Sequence, residues 1–371
     1  MDTADVVIIG AGFAGASTAY HLVSRGMRDV IVLEHEARAG VHASGRNAAL
    51  AFQVLEDPFE AALALEGARF MENPPSGFTS KPLLRRSGSL LVAGQDGMSG
   101  LQRSFDTAKH LGIDGAMLTS AEAVECVPVL RAAPPAGAFW NPHDGVVDIQ
   151  ELLHGFLDGA QRMGARIIYG RSVTGLRVVR HRMDAVETSD GPLHTRLVVN
   201  AAGAWAGAVG AFARIGTRTL VPRRRHMFRV RSAAPIAGDA PFVWHNDVDV
   251  YFRPEGDELI MSPCDAIPHP VRAPEVESSM EHVLVDKVAR AFPALAPVRV
   301  TSAWACLRTF ARDERFVIGL DPEVQGFVWV AALGGHGMTT SPAVGRLGAA
   351  AVLNEAVDAL NYFSPARLVV G

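Results

Sequence analysis

The hydrophobic pattern is clearest at the start of the chain. Val6-Val7-Ile8-Ile9 is an unbroken apolar run of strand length, and Val30-Ile31-Val32-Leu33 is a second. Between them, apolar residues recur at Ala16, Ala19, Leu22 and Val23, one face of a helix that closes near Gly26. Strand, helix and strand in that order predict a βαβ unit with strands buried on both faces. Further on, a helical pattern opens near Asp148 (Leu152, Leu153, Phe156, Leu157, Ala160) and leads into a strand over 165–169. Residues 172–195 alternate apolar and polar around Asp190-Gly191, which predicts a small meander. Leu197-Val198-Val199 and 327–332 read as further buried strands, the latter followed by a glycine-rich turn and a helix from about 341 to 356. Strand-like runs dominate from 216 to about 314. The stretch 51–142 is less regular and is broken by Asn73-Pro-Pro-Ser-Gly77 and Ala133-Pro-Pro-Ala136. The expected architecture is α/β: a Rossmann-like nucleotide-binding domain from 1–50, 143–215 and 315–371. Inserted into it is an α+β, mainly antiparallel-sheet substrate domain from 51–142 and 216–314.

Gly10-Ala-Gly12-Phe-Ala-Gly15 lies between the first strand and its helix. Gly10 permits the tight turn, Gly12 lets backbone approach a pyrophosphate, and Gly15 lets the helix pack close to the sheet. Phe13 and Ala14 open the helix whose N-terminus faces the phosphates, and Glu34 ends the second strand where it can accept hydrogen bonds from ribose hydroxyls. A glycine turn without a ligand is the bland alternative, and the flanking strands and terminal acid argue against it. The fingerprint alone does not separate NAD from FAD.

Length and composition narrow the class. At 371 residues, with 49% apolar and 20% charged types, the chain is an ordinary globular protein of two to three domains. Its net charge of −4 offers no broad surface to a nucleic acid. Cys126, Cys264 and Cys306 are too scattered for a disulfide framework or a zinc site, so a reducing compartment and no metal are expected. The opening Met-Asp-Thr-Ala-Asp is acidic where a signal peptide is basic, and the long uncharged stretches are interrupted by Asn200, glycines and Pro342. A cytoplasmic protein without an integral membrane segment is expected, with peripheral membrane contact left open.

Further segments carry a family resemblance. His42-Ala-Ser-Gly-Arg-Asn-Ala-Ala49, Asp144-Gly-Val-Val-Asp148, Asn200-Ala-Ala-Gly-Ala-Trp205, Trp304-Ala-Cys-Leu-Arg308 and Gly334-Gly-His-Gly-Met-Thr-Thr340 join the N-terminal fingerprint. Together they resemble the FAD-dependent D-amino-acid oxidase/glycine oxidase/sarcosine oxidase superfamily over nearly the whole chain. Glu72-Asn-Pro-Pro-Ser-Gly-Phe78, Pro82-Leu-Leu84 and Val127-Pro-Val-Leu-Arg131 are most similar to its bacterial D-arginine dehydrogenase branch. The resemblance implies FAD. It implies that His42, Ala43, Ser44, Arg46, Asn47, Ala48, Ala49 and Leu50 follow the pyrophosphate and flavin edge, with Val173 at the adenine. It adds His35, Ala201, Gly203 and Trp205 to the cofactor contacts. Gly334, Gly335, His336, Gly337, Met338 and Thr339 form the glycine-rich turn that offers N–H groups to the ring system.

The same resemblance implies a substrate site. Arg308 would clamp a carboxylate, with Arg224, Tyr251 and the backbone of Gly335 as further contacts, although the run Arg223-Arg-Arg225 leaves a one-residue slip open. Ser89 stands where the arginine-specific branch has an acid, and Leu50 and Leu55 where it has a histidine and a tyrosine. Phe52, Phe242 and Trp244 add bulk, and His336 would line the pocket. Burying a cationic side chain there without a counter-ion is costly, so an apolar or aromatic substrate is expected.

No catalytic group beyond those that orient substrate is required. Cys306 matches the position of a covalent flavin link in sarcosine oxidases, but the residues after it resemble the non-covalent branch. The stretch Glu258-Leu-Ile-Met261 lacks the lysine those oxidases carry over the flavin. These features favour a D-amino-acid dehydrogenase that passes electrons to a quinone, dye or protein acceptor. The alternatives are a glycine/sarcosine-type amine oxidase, a 2-hydroxy-acid dehydrogenase, or a non-catalytic flavin-binding accessory protein.

Overall fold

The computed structural model describes residues 2–215 and 220–369. Residues 1, 370 and 371 lie outside it, as does 216–219, where the strand-rich half was expected to open. The apolar runs assemble into a six-stranded sheet in the order Arg166–Ile168, Val30–Leu33, Val6–Ile9, Val198–Asn200, Phe327–Ala331, Val317–Leu320. Its pairs are parallel except the last, which is antiparallel. Alternate residues of each run go to opposite cores. Val6, Ile8, Val30 and Val32 meet the helices Phe13–Ser24, Ile149–Arg162 and Ser341–Val352. Val7, Ile9, Ile31 and Leu33 meet the antiparallel meander Val173–Val179, Arg182–Thr188 and Gly191–His194, together with the helix Ala206–Phe212. The start read at Asp148 is an N-cap, its Oδ1 accepting the N–H of Glu151 at 3.0 Å.

A second, nine-stranded sheet carries most of the rest. Its order is Ile267–Pro268, Val221–Arg231, Glu258–Ser262, Val250–Glu255, Phe242–His245, Ser89–Ala93, Gly137–Asn141, Ala116–Thr119, and Arg299–Phe310 pairs along Val221–Arg231. All pairs are antiparallel save one, Phe242–His245 with Ser89–Ala93. A helix, Ser279–Ala291, covers this sheet within the stretch read as strand-like. It buries only Leu284, Val288 and Ala291 among polar neighbours, too sparse a stripe to show in the pattern.

The irregular stretch 51–142 holds the helices Pro58–Glu72, Met98–His110 and Ser120–Cys126. The first of these puts Leu63 and Met71 into the core shared with Ser341–Val352, so it packs on the nucleotide-binding side. Among the described residues no helix is long and apolar enough to cross a membrane.

At the foot of Pro58–Glu72, Glu60 is buried and accepts the N–H of Phe316 at 3.1 Å. Burial lifts its carboxyl to about 8 against that hydrogen bond, and Asp57 adds to the rise. The folded value lies above that of the unfolded chain, so the protonated group's contribution is full in acid and is lost as pH rises through about 8. Glu60→Gln is therefore expected to flatten the fall of Tm between pH 6 and 9, an effect on the order of a few kcal/mol in stability. Melting curves that keep the wild-type slope would contradict this.

Candidate active site

The carboxyl ends of the parallel strands open into a groove of about 460 Å³. Ile9, Leu33, Ala201 and Ala331, each at or just past a strand end, lie in its wall. Gly10 turns the chain there at φ +104°, and a Cβ on it would lie 2.6 Å from the carbonyl oxygen of Ala201. The helix Phe13–Ser24 starts at Gly12, directing its free N–H groups at the groove. Ser44 Oγ accepts the N–H of Phe13 at 3.0 Å. Glu34 accepts the N–H groups of Ala11 (2.8 Å) and Glu36 (3.0 Å), which fixes its carboxylate with acceptor capacity to spare. His35 Nδ1 meets Ser172 Oγ at 2.7 Å beside Val173.

These groups fit FAD. A Cβ at Gly12 would sit 2.8 Å from Ser44 Oγ, in the space a pyrophosphate needs, and the fixed carboxylate suits a ribose. His42, Ala43, Arg46, Asn47, Gly203, Trp205, Gly334, Gly337 and Met338 also line the groove. Other expected cofactor residues shape it from behind. Gly15 packs against Gly10, the Ala48 carbonyl accepts Arg253 Nε at 2.7 Å, and Ala49 takes a positive φ with its N–H on Asn47 Oδ1. Thr339 Oγ1 donates to the Leu50 carbonyl at 3.0 Å. Trp304 Nε1 donates to the Arg46 carbonyl at 2.9 Å. Thus Arg253 and Trp304, two side chains of the second sheet that sequence reasoning gave no role, hold segment 46–48 in place.

Arg308 lies in the groove wall against Gly335, where a Cβ would come 2.8 Å from its Cδ and 2.9 Å from its Nε. Gly335 adopts φ +100°, so both the backbone and the space call for glycine. Tyr251 is fully buried, its hydroxyl donating to Met227 Sδ at 3.2 Å, and its ring lies 4.9 Å from that of Trp244. Desolvation, aided by the positive charges of Arg308 and Arg225, holds the His336 imidazole down at about 4, so it is neutral at ordinary pH.

Arg224 does not join this cluster. Side chains alternate along a strand, and the register pairs Arg223 with Arg308 and Arg225 with Cys306. Arg224 therefore faces the other way, opposite Leu307, and forms an ion pair with Glu277. Arg225 takes its place beside Arg308: Nε donates to the Asp265 carbonyl at 2.7 Å, and Nη1 is buried without a partner. Arg225, one residue further along the run, is thus the arginine that lies beside Arg308.

Three other expected pocket residues are engaged by neighbours of their own. Ser89 Oγ donates to Asp144 Oδ2 at 2.6 Å, and Gln53 binds Asp144 Oδ1 through N and Nε2. Burial, opposed by the Ser89 and Gln53 donors, raises the Asp144 carboxyl to about 7. Leu55 packs with Ala61 and Ala64 on the helix Pro58–Glu72. Phe242 is buried behind Phe52, their rings 6.1 Å apart. Leu50, Phe52 and Trp244 remain partly exposed: Leu50 and Trp244 pack in the Tyr251 cluster, and Phe52 stacks on Trp244 at 6.1 Å.

Comparison with known proteins agrees with this architecture. The DAO family, described as FAD dependent oxidoreductase, matches residues 5–351. Human mitochondrial sarcosine dehydrogenase is 27% identical over 363 residues, which covers 93% of this chain and 39% of that protein. The chain thus spans about two fifths of the length of the sarcosine dehydrogenases it matches. L-proline dehydrogenase from P. horikoshii superposes with a TM-score of 0.89 at 22% identity, covering 99% of this chain and 98% of that one. Glycine oxidase from Geobacillus kaustophilus superposes with a TM-score of 0.86 at 24% identity over the full length of both. Likeness at these identities establishes the shared fold, and the family match extends it to the cofactor. The chain belongs to the DAO family of FAD-dependent oxidoreductases, and FAD is the cofactor its groove holds.

Proposed function

We propose that this protein oxidises an amino acid with an apolar or aromatic side chain to its imino acid, which water hydrolyses to the oxo acid and ammonia. The observation that carries the proposal is the pair Arg308 and Arg225, two guanidinium groups side by side with no carboxylate partner among the described residues. A substrate carboxylate supplies that missing charge, and the planar forks fix its orientation. Bound FAD supplies a hydride acceptor. The protein's share is to hold the carboxylate, keep His336 neutral beside it, and present the α-carbon in one pose. Leu50, Phe52 and Trp244 offer the side chain an apolar wall. Among the described groove-lining residues Glu34, at the ribose end, is the only carboxylate, and Asp144, Asp249 and Asp265 lie outside the lining. A cationic side chain would therefore lack a counter-ion.

The D configuration rests on the local likeness of 72–78, 82–84 and 127–131 to D-arginine dehydrogenases. A dehydrogenase with a quinone, dye or protein acceptor is favoured because no lysine lines the groove among the described residues. Lys81 pairs with Glu151 at the surface, and Lys287 is taken up by the carbonyls of Asp249 and Pro263. Non-covalent FAD is the preferred reading, since burial raises the Cys306 thiol and leaves it poorly nucleophilic. A second reading, oxidation of a secondary or N-methyl amino acid, draws support from the sarcosine dehydrogenase match over 93% of the chain.

The test is an anaerobic spectral screen against D- and L-amino acids, N-methyl amino acids and 2-hydroxy acids. Apolar D-amino acids should bleach the flavin fastest, and D-arginine and D-lysine should be slow. Fastest bleaching by a cationic substrate, or none by any compound, would refute the proposal.

A further inference from the structure

Behind Arg225, outside the groove lining, a buried histidine and an aspartate with a largely covered side chain form a hydrogen-bonded pair. His226 is fully buried, on the opposite face of the strand Val221–Arg231 from Arg225. Its Nε2 receives the N–H of Glu277 at 3.0 Å, and because a backbone nitrogen can only donate, the ring proton resides on Nδ1. That Nδ1–H donates to Asp265 Oδ2 at 2.7 Å, while the His226 backbone N–H donates to Oδ1 at 2.8 Å. Burial pushes the Asp265 carboxyl up, the two His226 donors outweigh it, and the net value lies below the usual carboxylate range. The main-chain carbonyl of this same Asp265 accepts Arg225 Nε at 2.7 Å.

Residue 265 is thus held by its side chain from one face of the strand and holds Arg225 by its carbonyl from the other. A hold is needed there. Arg225 is desolvated and repelled by Arg308, and both effects pull its pKa below the usual guanidinium range. Left free, so long a side chain would swing away from its like-charged neighbour toward water. Keeping a histidine and an aspartate in a dry interior is itself costly unless every donor and acceptor is matched, and here they are matched.

We propose that the His226–Asp265 pair is a positioning device that pins the carbonyl of residue 265. It thereby keeps the Arg225 guanidinium in the substrate site with Nη1 free to meet a carboxylate. The proposal rests on the reading of Arg225 and Arg308 as the carboxylate anchor.

The experiment uses the flavin-loaded enzyme and a carboxylate that cannot be oxidised, benzoate, with binding read from the change in the flavin visible spectrum. Asp265→Asn turns an amide N–H toward one of the two His226 donors, and His226→Leu removes the side-chain donor. Each is expected to weaken benzoate about tenfold, the scale of one mispositioned charge-assisted hydrogen bond. Flavin content should stay at the wild-type level, and KM for substrate should rise with little change in kcat. His226→Asn, whose Nδ2 lies where Nδ1 does, is expected to recover most of the affinity. A purely structural role would lower folded yield or flavin content and leave benzoate affinity alone. Wild-type affinity in both Asp265→Asn and His226→Leu overturns the proposal. If Arg225→Lys and Arg308→Lys also keep wild-type affinity, the anchor reading falls with it; if they lose affinity, that reading stands and only the positioning role is lost.

Discussion

Replacing Arg308 by alanine is expected to raise KM for the amino-acid substrate a hundredfold or more while a full equivalent of FAD remains bound. The Arg308 side chain passes close to Gly335 and has no carboxylate partner among the described residues, so its charge is available to a ligand. A charge-assisted, two-pronged contact removed from a desolvated site costs about 3 kcal/mol or more, roughly two orders of magnitude in affinity. Arg225 remains in the variant and keeps part of the attraction, so the loss stops short of abolition. Steady-state kinetics with a dye acceptor, together with the flavin absorbance of the purified variant, separates the two quantities. An unchanged KM would remove Arg308 from the substrate site. Lost flavin with normal substrate affinity in the remaining holoenzyme would assign it to the cofactor instead.

Gly10→Ala is expected to yield protein with less than a tenth of the wild-type flavin. Two penalties act at one position. The backbone there has φ +104°, which costs an alanine roughly 1–2 kcal/mol or more. The added methyl would also lie 2.6 Å from the Ala201 carbonyl oxygen, which is main chain in a central strand's exit and cannot rotate away. Relief requires the turn to move into the space a pyrophosphate needs. Gly26→Ala is the matched control: its φ is +86°, but nothing lies within 4 Å of the new methyl. It should lose stability from strain alone and keep its flavin. Full flavin occupancy in Gly10→Ala would show that the turn is not where the cofactor's phosphates sit.

The nucleotide-binding half was legible because its strands are short apolar runs with no competing period, flanked by glycines and a terminal acid. The insertion was less so. Ser279–Ala291 carries three buried residues in thirteen, a stripe too thin to stand out from neighbouring strands. At the arginine run the three side chains are identical, so nothing in the sequence tells which faces Arg308. The register puts both Arg223 and Arg225 on the face of Arg308, and because Arg223 is taken up by Glu314 and the Phe310 ring, Arg225 is left beside it. Ser89 illustrates a different limit. Its position suggested a pocket residue, yet a carboxylate 55 positions away in the chain, Asp144, takes its hydroxyl. The Asp265 link to Arg225 was invisible for the same reason: it runs through a main-chain carbonyl, which every residue possesses.

The sheet order has a consequence for biosynthesis. The strand Val198–Asn200 is flanked by Val6–Ile9 and Phe327–Ala331, so its outer edge stays open until residues near 331 have left the ribosome. A nascent chain that ends near residue 300 carries the whole glycine fingerprint but lacks Arg308, Gly335 and one wall of the groove. Flavin capture is therefore expected late in synthesis, and shortened translation products would present an unpaired, strongly apolar strand edge to chaperones and proteases.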